Sequence, residues 1–169
     1  MPYLKNMNVL IELTKKAIGK ALIKDALNDV EYDFKWNDPA DLNEIEDFEK
    51  ETGYKIPDYY KEFLLCSNGG ILYRIDEEDA GFELLGIKEL KEYTDELNDV
   101  GYEIPMGCYV FMRCFFSADI MLFDTNKGSR CILDGDVGYP SNEWKFLNCD
   151  FNTFFARLVT CNGAMFWRW

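Results

Sequence analysis

Between Asp41 and Gly70 the chain reads DLNEIEDFEKETGYKIPDYYKEFLLCSNGG, an order of caps, apolar stripes and breakers that predicts two short helices followed by a strand. Asp41 and Glu44 have capping-box spacing, in which each side chain satisfies a backbone donor at the helix start. Leu42, Ile45 and Phe48 fall on one helical face. Gly53 can close that helix in the left-handed conformation, which costs glycine little. Pro57 suits the start of a second helix, where its missing N–H is not needed. Tyr60, Phe63 and Leu64 supply the second helix's buried stripe. Asn68-Gly69-Gly70 then stops it, and a strand begins near Ile71.

The flanking sequence extends this pattern. Residues 4 to about 28 carry Met7, Leu10, Ile11, Ala17, Ile18, Ala21 and Leu22 at three- and four-residue spacing. Glu12, Lys16, Lys20 and Lys24 form a polar row beside them, so one amphipathic helix packed on the domain is expected. Residues 31–40 predict a connector, broken by Asp38-Pro39. Downstream, strands are expected at 71–75 and 82–86, a helix at 87–97, and strands at 108–116, 119–124 and 130–134. A short strand near 144–147 and a helix capped by Asp150, running to about 159, complete the order. Helices, then hairpins, then a helix imply an α+β fold: a central, mostly antiparallel sheet with helices on one face. The expected organisation is one domain over 37–169 with a helical extension over 1–36.

Several of these residues also resemble the SUKH superfamily, which includes bacterial immunity proteins and fungal Smi/Knr cell-wall regulators. The matching positions are Glu44-Ile45, Phe48-Glu49, Gly53, Ile56-Pro57-Asp58-Tyr59-Tyr60, Phe63-Leu64 and Asn68-Gly69-Gly70. Ile104-Pro105-Met106-Gly107 resembles the family's entry to its central strands, and Asp150 to Phe155 its terminal helix. The resemblance spans roughly residues 40 to 161. It implies a SUKH-like α+β domain that binds another protein.

Charge narrows the partner. The net charge is −13, and it is uneven. Residues 1–36 hold six lysines against five acids, while residues 37–169 hold 12 basic and 26 acidic residues. Such a domain repels phosphate backbones and anionic lipid and attracts a basic protein. No apolar run is long enough to cross a membrane, and the first residues lack the order of a signal peptide. A cytoplasmic protein is expected. The six cysteines are unevenly spaced with no C-x-x-C pair, and histidine is absent. Reduced thiols are therefore expected, and no metal site.

Without histidine the usual acid–base residue and the serine and cysteine triads are gone. No phosphate-binding glycine loop occurs. Asp124-Thr125-Asn126-Lys127-Gly128 begins like a calcium loop, but its twelfth position is Gly135, and a β-turn explains it. Asp134-Gly135-Asp136 could join Asp119 or Asp124 in a carboxylate cluster, yet Asp-Gly also reads as a turn. No catalytic residue, cofactor or metal is expected. The expected function is neutralisation of a cognate toxin, a basic nuclease-like protein, with a regulatory or scaffold role of the Smi/Knr type as alternative. The contact surface is expected to include Asp76, Glu77, Glu78 and Asp79, then Asp95, Glu96 and Asp99, with Asp134 and Asp136 added if the loops cluster. Tyr73 and Tyr139 would be exposed anchors. No nucleic acid and no membrane are expected as partners, and the chain itself should be a monomer or weak homodimer. Ala164 to Trp169 should dock on the core, with a partner or homodimer contact as its other use.

Overall fold

The computed structural model describes residues 4–16, 20–24, 29–75 and 78–169. Among them, one antiparallel sheet of eight strands runs in chain order: β1 (Lys20–Lys24), β2 (Asp29–Trp36), β3 (Gly70–Ile75), β4 (Ala80–Leu84), β5 (Cys108–Cys114), β6 (Asp119–Asp124), β7 (Ile132–Asp136) and β8 (Lys145–Phe146). Five helices accompany it: α1 (Leu4–Lys16), α2 (Leu42–Thr52), α3 (Asp58–Leu64), α4 (Ile87–Asp99) and α5 (Phe151–Thr160). The α+β class read from the sequence is the observed one.

Local chemistry sets α2 and α3. The Asn43 N–H donates to Asp41 Oδ1 at 2.8 Å and the Asp41 N–H to Glu44 Oε2 at 2.9 Å. Gly53 ends α2 at φ 73°. Glu49 then holds the turn into α3, accepting from the Ile56 N–H at 2.8 Å and from Lys61 at 3.0 Å. Burial opposes its charge, but the Ile56 N–H and Lys61 outweigh that and keep the carboxyl pKa below its ordinary value. Helix α3 ends at Leu64, before the expected stop at Asn68-Gly69-Gly70, and that segment instead ties the start of α4 to the start of β3. Asn68 Oδ1 accepts from the Ile87 N–H at 2.9 Å at the start of α4. A Cβ on Gly69 would lie 2.7 Å from the Gly86 nitrogen.

The segment up to Trp36 departs from expectation. The helix expected over 4–28 stops at Lys16, and Lys20–Lys24 is a strand paired with β2; residues 17–19 and 25–28 lie outside the described residues. The expected connector at 31–40 is, as far as Trp36, strand β2. The physical reason is the period of two in DVEYDFKW, with Val30, Tyr32, Phe34 and Trp36 apolar and charges between them. Phe34 and Trp36 reach the interior, against Tyr73 and Phe63 respectively. The Trp36 indole N–H donates to Thr14 Oγ1 of α1 at 2.7 Å. The sheet therefore runs across the expected boundary at residue 36.

Helix α4 interrupts the meander between β4 and β5 and closes an open edge. The Val110 N–H donates to Thr94 Oγ1 at 2.9 Å, taking the place of a ladder bond. The core is aromatic. Tyr60 of α3 and Phe151 of α5 meet both Phe111 and Phe123 of the central strands, which stack at 4.0 Å, while Phe154 packs on Phe111 and Phe63 packs on Tyr60 and Phe151. The buried Tyr60 hydroxyl donates to the Leu85 carbonyl at 2.7 Å. Truncating one such ring to alanine costs about 3–5 kcal/mol.

Because the sheet is an antiparallel meander, its connections alternate between two ends. The hairpins β3–β4, β5–β6 and β7–β8 share one end, while α4 and the β6–β7 turn lie on connections at the other. The carboxyl-terminal segment returns over the sheet, reaching β4, β6 and β7. Trp167 packs on Phe82 and Phe154, and Phe166 packs on Phe154.

Candidate functional site

The acids expected to form one surface fall into separate places. Glu78 and Asp79 are exposed on the β3–β4 hairpin, where Asp79 pairs with Arg74 at 2.9 Å; Asp76 and Glu77 lie outside the described residues. Asp95, Glu96 and Asp99 belong to α4, on the connection at the opposite end of the sheet. There Asp95 pairs with Lys91, while Glu96 and Asp99 are exposed. Glu96 also borders a shallow cavity of about 160 Å³ with Glu83, Glu89, Glu92, Tyr93 and Arg113.

Two expected contacts are corrected. Tyr73 is only 3% exposed. It sits at φ 52° where β3 loses register with both neighbours, and this bulge turns the ring inward against Tyr32 and Phe34. Gly163 lies over the ring, where an added Cβ would come within 2.5 Å of it. Asp134 is 4% exposed, because Asp134-Gly135-Asp136 is the end of strand β7 and not a turn. Gly135 permits a close approach there: an added Cβ would meet Leu122 Cδ1 at 2.6 Å, and that side chain would have to shift.

Asp134, Asp136 and Tyr139 do converge. The pairing of β6 with β7 sets Asp119 opposite Asp136 and Met121 opposite Asp134. The chain's penultimate residue then inserts a cation. Arg168 Nη2 hydrogen-bonds Asp119 Oδ1 at 2.5 Å and lies 3.4 Å from Asp134 Oδ1 and 3.7 Å from Asp136 Oδ2. The 3.4 Å contact is an ion pair without hydrogen-bond geometry, so Asp134 Oδ1 is buried yet accepts no hydrogen bond among the described residues. Burial pushes the Asp134 pKa up to about 6. Asp119 and Asp136 add to that, and Arg168 and Lys145 oppose it. In front of the cluster lies a cavity of about 310 Å³ walled by Tyr139, Glu143 and Trp144. The Trp144 indole N–H is fixed by the carbonyls of Asp136 at 2.9 Å and Tyr139 at 3.2 Å.

Glu143, Trp144 and Arg168 are absent from the sequence-based site. Strand register would have placed Asp119 beside Asp136, but nothing local ties Arg168 to a residue 49 positions earlier. Of the six expected tail residues, Met165, Phe166 and Trp167 dock on the core, whereas Trp169 is 85% exposed.

The Asp124-to-Gly128 segment is a capped 3-10 turn, with the Asn126 N–H donating to Asp124 Oδ1 at 2.9 Å. Among the described residues no group of three or more acids or cysteines is arranged to hold a metal ion, and no helix is long and apolar enough to cross a membrane. None of the six cysteines forms a disulfide among the described residues. Burial pushes the thiols of Cys108 and Cys114 up to about 12 and those of Cys131 and Cys149 up to about 11, so at neutral pH these four are small buried hydrophobes and not nucleophiles.

Comparison with known proteins agrees with this architecture. The family model of the SMI1/KNR4 family (SUKH-1) matches residues 39–157, from the approach to α2 into α5. The uncharacterized protein YobM of Bacillus subtilis (strain 168) is 30% identical over 144 residues, covering 78% of this chain and 72% of the relative. The uncharacterized protein YnaB of the same strain is 33% identical over 141 residues, covering 79% of this chain and 86% of the relative. By this match and these relatives, the chain belongs to the SMI1/KNR4 family (SUKH-1).

Proposed function

We propose that this protein is an immunity protein, which binds the catalytic domain of a cognate toxin in the cytoplasm and blocks it. The toxin is a basic nuclease, and the immunity protein performs no catalysis of its own. One observation carries the reading: a chain of net charge −13 displays carboxylates at both ends of its sheet, on α4 and around the β7–β8 turn. A nuclease must gather cations around its phosphate-binding cleft. An acidic surface of matching shape competes for those cations and is steered to them, with association rates up to about 10⁸–10⁹ M⁻¹s⁻¹ at low salt. Family membership fits this reading.

The proposed contacts are Glu78, Asp79, Asp95, Glu96, Asp99, Asp136 and Tyr139. Asp76 and Glu77 join them through their place in the same acidic turn of the sequence. Carboxylates give attraction and register; Tyr139, 61% exposed, gives a contact that excludes water.

The direct test is coexpression with a candidate cognate toxin. The expected result is restored growth, and loss of nuclease activity in vitro at a one-to-one ratio of purified proteins. A toxin that stays active beside an equimolar amount of this protein contradicts the proposal and favours a regulatory role.

A further inference from the structure

The carboxylate cluster at the β7 end is under-neutralised. Among the described residues, Asp119, Asp134, Asp136 and Glu143 face only the cations Arg168 and Lys145. Arg168 spends its hydrogen bond on Asp119, leaving Asp134 Oδ1 buried, charged in its ionised form, and without a donor. An acceptor in that state is less stable than one that is satisfied. The site therefore stores a capacity to bind that the chain's own cation does not exhaust.

The shape of the cavity selects the ligand. At about 310 Å³ it has room for the head of one side chain. Its inner wall is the Asp134–Asp136 pair, and Tyr139 and Trp144 contribute aromatic walls. A planar, weakly hydrated cation with several donors suits carboxylates beside aromatic faces better than a compact, strongly hydrated ammonium. Arg168 shows that these carboxylates accept a guanidinium. A divalent metal is disfavoured, because Arg168 and Lys145 both border the same space.

We infer that this cavity receives an arginine side chain of the protein partner, with Asp136 and Glu143 as its acceptors, the buried charge of Asp134 behind them, and Tyr139 and Trp144 as its walls. Arg168 stays in place as a fixed second guanidinium that positions the carboxylates. The inference deepens the proposed function and takes from it only the basic character of the partner.

The probe is blocked arginine (N-acetyl-arginine methylamide), titrated into the full chain and followed by the nuclear magnetic resonance of the Trp144 indole N–H and the amides of residues 134–145. Blocked lysine is the comparison. Arginine should give saturable shifts confined to those signals, with a dissociation constant in the millimolar range. Lysine should bind about fivefold or more weakly, as expected when only a bidentate donor fits. Glu143→Gln and Asp136→Asn should each weaken arginine about tenfold, the usual loss for one charge-assisted hydrogen bond. Glu143 is exposed, so its variant keeps the fold. Linear shifts that are the same for arginine and lysine, or saturation unchanged in both variants, would overturn the inference and leave the immunity reading standing. Saturable arginine binding in a protein that neutralises no toxin would do the reverse.

Discussion

Along α4, Glu92, Glu96 and Asp99 stand in solvent, whereas at the other end of the sheet Asp119 and Asp134 are drawn under the surface beside Asp136 and held around one guanidinium. The formal charges are alike, but their surroundings give them different physics. Solvated acids on a helix interact weakly with their neighbours and contribute a field that reaches outward. Buried acids depend on their counterion, because removing it leaves charge in a poorly solvating interior. The first group can be altered without touching the fold, and the second cannot.

The largest expected effect is therefore at Arg168. Arg168→Ala should lower stability by about 2 kcal/mol, less than for a fully buried pair because its side chain is 37% exposed. Urea denaturation measures this, and an unchanged midpoint would mean that the three carboxylates are hydrated like those of α4.

Next comes pH. Asp134 has a pKa of about 6 in the folded protein against an ordinary 3.8. The folded state thus holds its proton more tightly than the unfolded chain. Asp134 contributes stability as pH falls from about 6 to about 4, the reverse of an ordinary ion-paired aspartate. Asp134→Asn should remove that contribution, on the order of 1 kcal/mol in the difference between variant and parent. Identical slopes for variant and parent across this window would contradict the buried state of Asp134.

The smallest effect is on α4. Glu92→Gln with Glu96→Gln should change stability by less than about 0.5 kcal/mol. A larger loss would place these acids in the structural class with Asp119 and Asp134.

The same contrast between local and distant causes separates what could be read in the sequence from what could not. Asp41, Glu44, Gly53 and Pro57 act within one turn of their own backbone, so α2 and α3 follow from local chemistry. The hairpins from β5 to β7 were legible from apolar runs between turns. Strand β2 was legible too, in the alternation from Val30 to Trp36, but three- and four-residue spacings upstream favour a helix, and Lys20–Lys24 fits either period. Its partner strand decides between them. Tyr73 follows an inward Leu72 and by alternation should point outward; the bulge that reverses it has no signature in neighbouring residues. Asp-Gly reads as a turn at 134–135, yet the glycine answers to Leu122 on the next strand. The guanidinium clamp depends on where the chain's last residues return, a tertiary fact throughout.

The central claim is that outward-facing carboxylates steer this protein to a basic partner. The most direct test is the association rate with the cognate toxin, measured by stopped flow between about 50 and 500 mM salt, a range over which the screening length falls severalfold. The account predicts a steep fall in rate for the parent and a shallower one for the Glu92→Gln, Glu96→Gln variant, with dissociation nearly constant. A rate independent of salt would contradict it.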